Sequence, residues 1–122
     1  MSEPLFLQSV MHEKIWGGTR LRDEFGYEIP SDKVGEYWAI SAHPHGVSTI
    51  KNGRFAGTGL DQLYAEHREL FGNSSEPVFP LLTKILDAND WLSVQVHPDD
   101  HYAMEHEGEL GKTECWYVIA AD

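Results

Sequence analysis

The sequence has little cysteine and no long apolar run. Cys115 is the only cysteine among 122 residues, so an internal disulfide is excluded and a reducing compartment is favoured. No stretch approaches the roughly 20 apolar residues that a membrane-spanning helix needs. The N-terminal Met-Ser-Glu-Pro lacks the basic region and apolar core of a secretion signal. The sequence therefore predicts a soluble, cytoplasmic protein.

Positive charge is also scarce. Nine Lys and Arg residues face 20 Asp and Glu residues, which gives a formal net charge of −11. Such a chain is repelled by nucleic acids and by anionic membrane surfaces, so neither is expected as a partner. The Gly-x-x-x-x-Gly-Lys pattern of a phosphate-binding loop is missing, which disfavours nucleotide binding. A hydrophobic content of 41% is sufficient for the core of one domain or part of one.

Two short segments near the C-terminal end carry most of the functional information. In the first, Ser93, Gln95 and His97 alternate with valines, so on a strand their side chains share one face. In the second, Lys112 and Glu114 share a face by the same rule. An amide oxygen, an imidazole and a carboxylate without a thiolate form a hard ligand set that suits Zn²⁺ or a similar divalent ion. The alternative is a strand whose polar face is merely solvated.

The preceding segment predicts a β-hairpin. On a strand, Leu81, Thr83 and Ile85 alternate with Leu82, Lys84 and Leu86 between the two faces. Residues 87–90 supply turn chemistry, and an extended run resumes at Trp91. In this hairpin Lys84 lies opposite Ser93. An ammonium beside a hydroxyl near a metal suits an anionic ligand such as a phosphate. The alternative for Lys84 is an edge-strand lysine that discourages aggregation.

Four segments resemble a known family. They are Ile15 to Gly18, Val34 to Pro44, Leu92 to Asp100 and Gly111 to Tyr117. Together they are similar to the short bacterial form of the type I mannose-6-phosphate isomerases, which are zinc enzymes of the cupin superfamily. The resemblance spans nearly the whole chain. It implies a mainly β, cupin-like jelly-roll barrel with a few short helices.

The resemblance also implies a reaction and a site. The reaction is the reversible isomerisation of mannose 6-phosphate to fructose 6-phosphate, with a sugar phosphate as the small-molecule partner and one zinc ion per complete catalytic domain. Seven positions match the family's motifs: Gln95, His97 and Glu114 as zinc ligands, Lys112 as the active-site lysine, Ser93 and Lys84 beside the sugar phosphate, and Trp16 near the mouth of the substrate cleft. Neither the general base nor the oligomeric state follows from these matches.

Part of the family's site has no counterpart in these residues. The fourth zinc ligand, a second histidine, and the catalytic arginine lie further downstream in the family. The segment His43-Pro-His45 is predicted to be a loop and not a ligand pair. Residues 114–120 are predicted to form an apolar strand without a following partner. We therefore expect residues 1–122 to be the N-terminal part of a catalytic domain, truncated at Asp122, with an incomplete barrel.

Two other functions compete with this interpretation. The missing ligand is compatible with a non-catalytic cupin module that binds a metal or a sugar. A cupin isomerase acting on glucose 6-phosphate is a further alternative, but that family usually has a His-x-His pair where this chain has Gln95-Val-His97. The amide in place of an imidazole favours the mannose enzyme.

Two helices are predicted within the scaffold. One helix is expected to extend from about residue 60 to Gly72, which is a suitable terminator. Its apolar face is predicted to consist of Leu60, Leu63, Tyr64 and Leu70 with Phe71. A second, short helix is expected within residues 18–25.

Overall fold

The computed structural model describes residues 3–92 and 114–121. These residues belong to two units, Met1–Leu92 and Ser93–Asp122, which are described separately. The first unit contains five strands and two α-helices: β1 (Leu7–Gln8), β2 (Val10–Gly18), α1 (Arg20–Asp23), β3 (Val34–Ile40), β4 (Thr49–Ile50), α2 (Leu60–Glu66) and β5 (Thr83–Leu86). It also has two short 3₁₀ helices, Gly53–Phe55 and Arg68–Phe71. None of the helices described is long and apolar enough to cross a membrane.

The strands form two antiparallel sheets. The larger sheet has the order β2-β3-β5, and the smaller one pairs β1 with β4. In the larger sheet Trp38 of β3 lies opposite Val10 of β2 on one side and Lys84 of β5 on the other. The described part of the chain is thus mainly β with a few short helices, as the sequence predicts.

Strand β2 contains a large irregularity. Glu13 and Gly18 both pair with Val34 of β3, so the four residues 14–17 lie between two successive pairings with one residue. Such extra residues kink a strand and increase its local twist. Gly17 is packed against backbone in this segment, because a Cβ there would collide with the Lys33 carbonyl oxygen and approach the Gly35 amide nitrogen to 2.6 Å.

The core is formed by residues of α1, β3, β4 and α2. Its buried apolar residues are Leu21, Val34, Trp38, Ile50, Leu60, Leu63 and Tyr64. The predicted apolar face is buried at Leu60, Leu63 and Tyr64, but Leu70 is 40% exposed and Phe71 is only partly buried. The predicted helix to Gly72 is interrupted at His67, whose φ of −134° is not helical, and it continues as the second 3₁₀ helix up to Gly72 at φ 66°. The short helix expected within residues 18–25 is α1.

Two strand predictions are corrected by the structure. Trp91 and Leu92 are not in a strand, and Trp91 is 94% exposed, so the second arm of the hairpin does not begin there. The turn is instead tied to β2, because the Asn89 backbone amide donates a hydrogen bond to the Trp16 carbonyl oxygen at 2.8 Å. In the second unit, residues 114–121 contain no strand and are exposed. An apolar sequence adopts a strand only where a partner strand accepts its backbone hydrogen bonds.

Candidate active site

Lys84 is the predicted phosphate ligand whose surroundings the structure describes best. It lies in β5, and its Nζ is 3.2 Å from Oε1 of Glu36. The same nitrogen lies 4.9 Å from the centre of the Trp38 ring, within the range of a cation–π interaction. The Lys84 side chain is only 25% exposed. It is therefore part of a shielded ion pair, which differs from a fully solvated edge-strand lysine.

Glu36 is the acidic centre of this cluster. Its Oε1 accepts a hydrogen bond of 2.7 Å from Nε1 of Trp38, and its Oε2 lies 3.9 Å from Nζ of Lys14. Burial alone raises the pKa of Glu36, but the hydrogen bonds from Trp38 and Lys84 and the charges of Lys84 and Lys14 outweigh it and hold the pKa below its usual value. Glu36 is thus an ionised carboxylate in a largely enclosed position.

Trp38 is fixed by its neighbours. It is 8% exposed, and the His12 ring packs against it with a centroid distance of 4.2 Å. On the loop that follows β3, a Cβ on Gly46 would come within 2.9 Å of the Trp38 ring, so only glycine allows this approach. The loop is closed by Ser48, whose amide donates to the Ser41 carbonyl oxygen at 2.7 Å. The indole is consequently a rigid support for Glu36 and Lys84.

His12 is a partly buried imidazole with an incomplete set of hydrogen bonds. Its Nε2 is inaccessible to solvent and has no hydrogen-bond partner among the residues that the structure describes. Burial lowers the pKa of His12; Glu36 opposes this effect, and Lys14, Lys84 and His45 add to it. His12 is therefore neutral at neutral pH.

Three members of this cluster were not predicted from the sequence. Glu36, Trp38 and His12 were not identified as site residues, although the first two lie within the Val34 to Pro44 segment. Their alternate spacing on a strand was a usable signal, since residues i and i+2 share a face. What the spacing could not supply was the partner strand that brings Lys84 to that face.

His43 and His45 lie in a loop, as predicted. The His45 backbone amide donates a hydrogen bond of 3.1 Å to Nδ1 of His43, and the two rings are 4.9 Å apart. The edge of His43 also faces Trp38 at 5.7 Å. Among the residues described, no group of three His, Cys, Asp or Glu side chains is arranged to hold a metal ion.

Trp16 lies in the irregular segment of β2. Its ring packs beside Gly35, where a Cβ would come within 2.7 Å of the indole. Its carbonyl oxygen accepts the hydrogen bond from the Asn89 backbone amide. The turn after β5 is thereby attached to the residue that was predicted to lie at the mouth of the cleft.

The other predicted site residues belong to the second unit. Glu114 is exposed. Four residues lie outside the described part of the chain: Ser93, Gln95, His97 and Lys112. The predicted pairing of Lys84 with Ser93 also lies outside it.

An open depression of about 390 Å³ lies on the first unit and shares Lys14 with the cluster around Glu36. It is lined by Glu13, Lys14, Ile15 and Lys33, none of which was predicted as a site residue. Ile15 is 95% exposed there. The depression is open to solvent.

Comparison with known proteins identifies close relatives. Residues 5–119 match the model of the family described as phosphomannose isomerase type I, catalytic domain. The chain is 80% identical over its whole length to the mannose-6-phosphate isomerase of Streptococcus mutans, and 63% identical over 98% of its length to a probable mannose-6-phosphate isomerase of Bacillus subtilis. It spans 39% and 38% of the lengths of these two relatives.

A solved structure agrees with this result. The crystal structure of the mannose 6-phosphate isomerase from Bacillus subtilis superimposes with a TM-score of 0.95 at 59% sequence identity, over 99% of this chain and 39% of that one. The likeness confirms the predicted mainly β, cupin-like fold class. The family match, the whole-chain identity and the superposition agree, and the chain belongs to the type I phosphomannose isomerase family, of which it carries catalytic-domain sequence.

Proposed function

We propose that this protein acts as a mannose-6-phosphate isomerase that interconverts mannose 6-phosphate and fructose 6-phosphate. The observation that supports this most directly is the 80% identity, over the whole chain, to the Streptococcus mutans protein of that name. Residues 1–122 correspond in this proposal to the N-terminal part of the catalytic domain. The chain spans 39% of the length of that relative. The proposed activity is therefore assigned to the native protein and not to residues 1–122 alone.

The proposed metal is zinc, held by Gln95, His97 and Glu114. These residues provide an amide oxygen, an imidazole nitrogen and a carboxylate oxygen, a donor set that fits a catalytic zinc site with a position open to substrate. Glu114 itself lies at an exposed position of the second unit. When bound, zinc supplies Lewis acidity toward the carbonyl and hydroxyl oxygens of the sugar.

The remaining residues are proposed to bind the substrate and to stabilise charge. The reaction moves a proton between carbons 1 and 2 of the sugar, and negative charge develops on the adjacent oxygens. Lys112 stabilises that charge or relays a proton. Lys84 and Ser93 orient the phosphate through an ammonium and a hydroxyl, and Trp16 lies near the mouth of the cleft. The shielded position of Lys84 beside Glu36 supports its part of this scheme.

Metal content and turnover together test the proposal. His97→Ala, made in the protein as its cells produce it, is expected to lower the zinc content measured by mass spectrometry and to reduce isomerase activity by at least about a hundredfold. His67→Ala is the control, because His67 is a partly exposed histidine of the first unit that pairs with Glu69 at 3.0 Å. If His97→Ala retained both zinc and activity, the ligand assignment would be wrong. If the unaltered, zinc-loaded protein did not isomerise mannose 6-phosphate, the non-catalytic binding function would replace the proposal.

A further inference from the structure

The ammonium of Lys84 is held on two sides. A lysine side chain has a flexible four-carbon stem, and fixing it costs up to about 2 kcal/mol of conformational entropy. In this structure Glu36 pairs with the ammonium at 3.2 Å, and the Trp38 ring centre lies 4.9 Å from it. The antiparallel register supports this geometry, because Lys84 lies directly opposite Trp38. Part of that ordering is therefore complete before any ligand arrives.

Glu36 and Trp38, which contact the ammonium, are fixed by contacts of their own. Only 12% of the Glu36 side chain is exposed, and its Oε1 is bound to the indole nitrogen of Trp38 at 2.7 Å. Trp38 in turn is packed against His12 and against the loop at Gly46. A continuous series of contacts thus leads from the core of the first unit to the ammonium.

From this arrangement we infer that Glu36 is a positioning residue for sugar phosphate binding: together with Trp38 it fixes the ammonium of Lys84 in the place where the phosphate is received. The inference rests on the proposed function, since the phosphate role of Lys84 is part of it. Glu36 acts through Lys84 and does not itself contact the substrate.

The charge of Glu36 has a second effect of opposite sign. A carboxylate beside the ammonium competes with the phosphate dianion for the same donor. If positioning dominates, loss of the carboxylate charge weakens substrate binding; if competition dominates, the same loss strengthens it. The direction of the change in KM therefore distinguishes positioning of the ammonium from competition with the phosphate.

The variant Glu36→Gln isolates the charge, because the glutamine oxygen still accepts the Trp38 hydrogen bond. We expect the KM for mannose 6-phosphate to rise about fivefold to tenfold while kcat stays within about twofold, since binding and not the chemical step is affected. In a Lys84→Ala background, Glu36→Gln should add no further increase, because a residue that acts through another shows full coupling to it. Asp32→Asn is the control, since Asp32 is an ion-pair carboxylate of the same unit that is 81% exposed.

Several results would overturn the inference. An unchanged or lower KM in Glu36→Gln is one, and an equal rise in KM with and without Lys84 is another. A Lys84→Ala variant whose KM is unchanged would instead refute the phosphate role of Lys84, which belongs to the proposed function.

A second measurement does not depend on turnover. Acetylation of Lys84 by acetic anhydride, followed by peptide mass spectrometry, reports how accessible and how constrained the amine is. Glu36→Gln should accelerate acetylation of Lys84 at least about threefold relative to the exposed Lys51. Equal rates in both proteins would show that Glu36 does not hold the ammonium.

Discussion

The carboxylate of Asp87 accepts a hydrogen bond of 2.9 Å from the backbone amide of Arg20, which is distant in the sequence. Asp87 is 3% exposed, and its other oxygen accepts a hydrogen bond of 3.0 Å from the Asn89 side chain. One buried side chain thus joins the turn after β5 to the first residue of α1. The first amides of a helix have no partner within the helix, and an acidic group there also interacts favourably with the helix dipole.

Replacing Asp87 by asparagine should destabilise the protein. The carboxylate accepts hydrogen bonds from the Arg20 amide and the Asn89 side chain, whereas the NH₂ group of asparagine would face one of these donors and could not accept its hydrogen bond. We therefore expect a loss of about 1–3 kcal/mol in the free energy of unfolding. Urea denaturation measures it. Asp90→Asn is the control, because Asp90 bonds to the neighbouring Trp91 amide at an exposed position. Equal stabilities for the two variants would contradict the role of Asp87.

Gly17 and Gly18 should differ in their tolerance of a methyl group. A Cβ on Gly17 meets backbone atoms of Lys33 and Gly35, which cannot move without disturbing β3. A Cβ on Gly18 first meets the amide end of the exposed Asn89 side chain, which can move aside, and then the Asp87 carboxylate at 2.9 Å, so some loss is expected there too. We expect Gly17→Ala to lower the free energy of unfolding by about 1–3 kcal/mol and Gly18→Ala by less, as thermal or urea denaturation can measure. A larger loss in Gly18→Ala than in Gly17→Ala would show that the close backbone contact at Gly17 does not determine which glycine tolerates a methyl group.

The hydroxyl of Tyr64 should contribute to stability. Tyr64 is 2% exposed, and its hydroxyl donates to the Glu76 carbonyl oxygen at 2.8 Å and lies 3.0 Å from Oγ of Ser74. Tyr64→Phe leaves that carbonyl oxygen without its donor, so we expect a loss of about 1–2 kcal/mol in chemical denaturation. Tyr117→Phe, at a position that is 90% exposed, should change stability by less than about 0.5 kcal/mol. A loss as large in the control would point to a general effect of the hydroxyl.

His12 should make stability depend on pH. Its pKa in the folded state is below the ordinary histidine value of 6.5, so the unfolded chain takes up a proton first as the pH falls. The contribution of the neutral imidazole is complete above pH 6.5 and decreases as the pH drops through that value toward the folded pKa. His12→Phe should remove this component from a plot of urea midpoint against pH, measured from neutral to mildly acidic solution.

The titration of Glu36 affects stability at a lower pH than the titration of His12. Its folded pKa is also lowered, from an ordinary value of 4.5, so its contribution is retained above that pH and lost below it. The two transitions therefore occupy different parts of the pH range. If His12→Phe left the curve above the glutamate transition unchanged, another group would be responsible for it.

Local patterns predicted much of the scaffold and part of the site. The spacing of Leu60, Leu63 and Tyr64 indicated a buried helix face, because periodicity alone decides which side of a helix is apolar. The polar position of Lys84 on a strand was correct for the same reason. The resemblance in the Val34 to Pro44 and Ile15 to Gly18 segments identified the family correctly, since such motifs are contiguous in the sequence.

Contacts between residues on different strands could not be predicted from local patterns. Lys84 meets Glu36 only because β5 pairs with β3, and strand pairing depends on contacts between segments far apart in the sequence. The interruption of the helix at His67 was not predicted either. Beyond it, the Arg68 guanidinium lies over the Tyr64 ring at 4.1 Å. Of the predicted second hairpin arm, Trp91 and Leu92 are not in a strand, and the remainder lies outside the described residues. The turn that precedes them is hydrogen-bonded to β2 and α1.

The irregular segment of β2 has a consequence for self-association. Among the strands described, β2 is an outer strand of the three-stranded sheet, and an uninterrupted outer strand offers a template to which another chain can add. The four residues between the two pairings with Val34 break that template, and the segment carries the charged Lys14. Deleting this segment to give a regular strand would therefore be expected to produce aggregates in solution, although none of the buried apolar core residues lies in it.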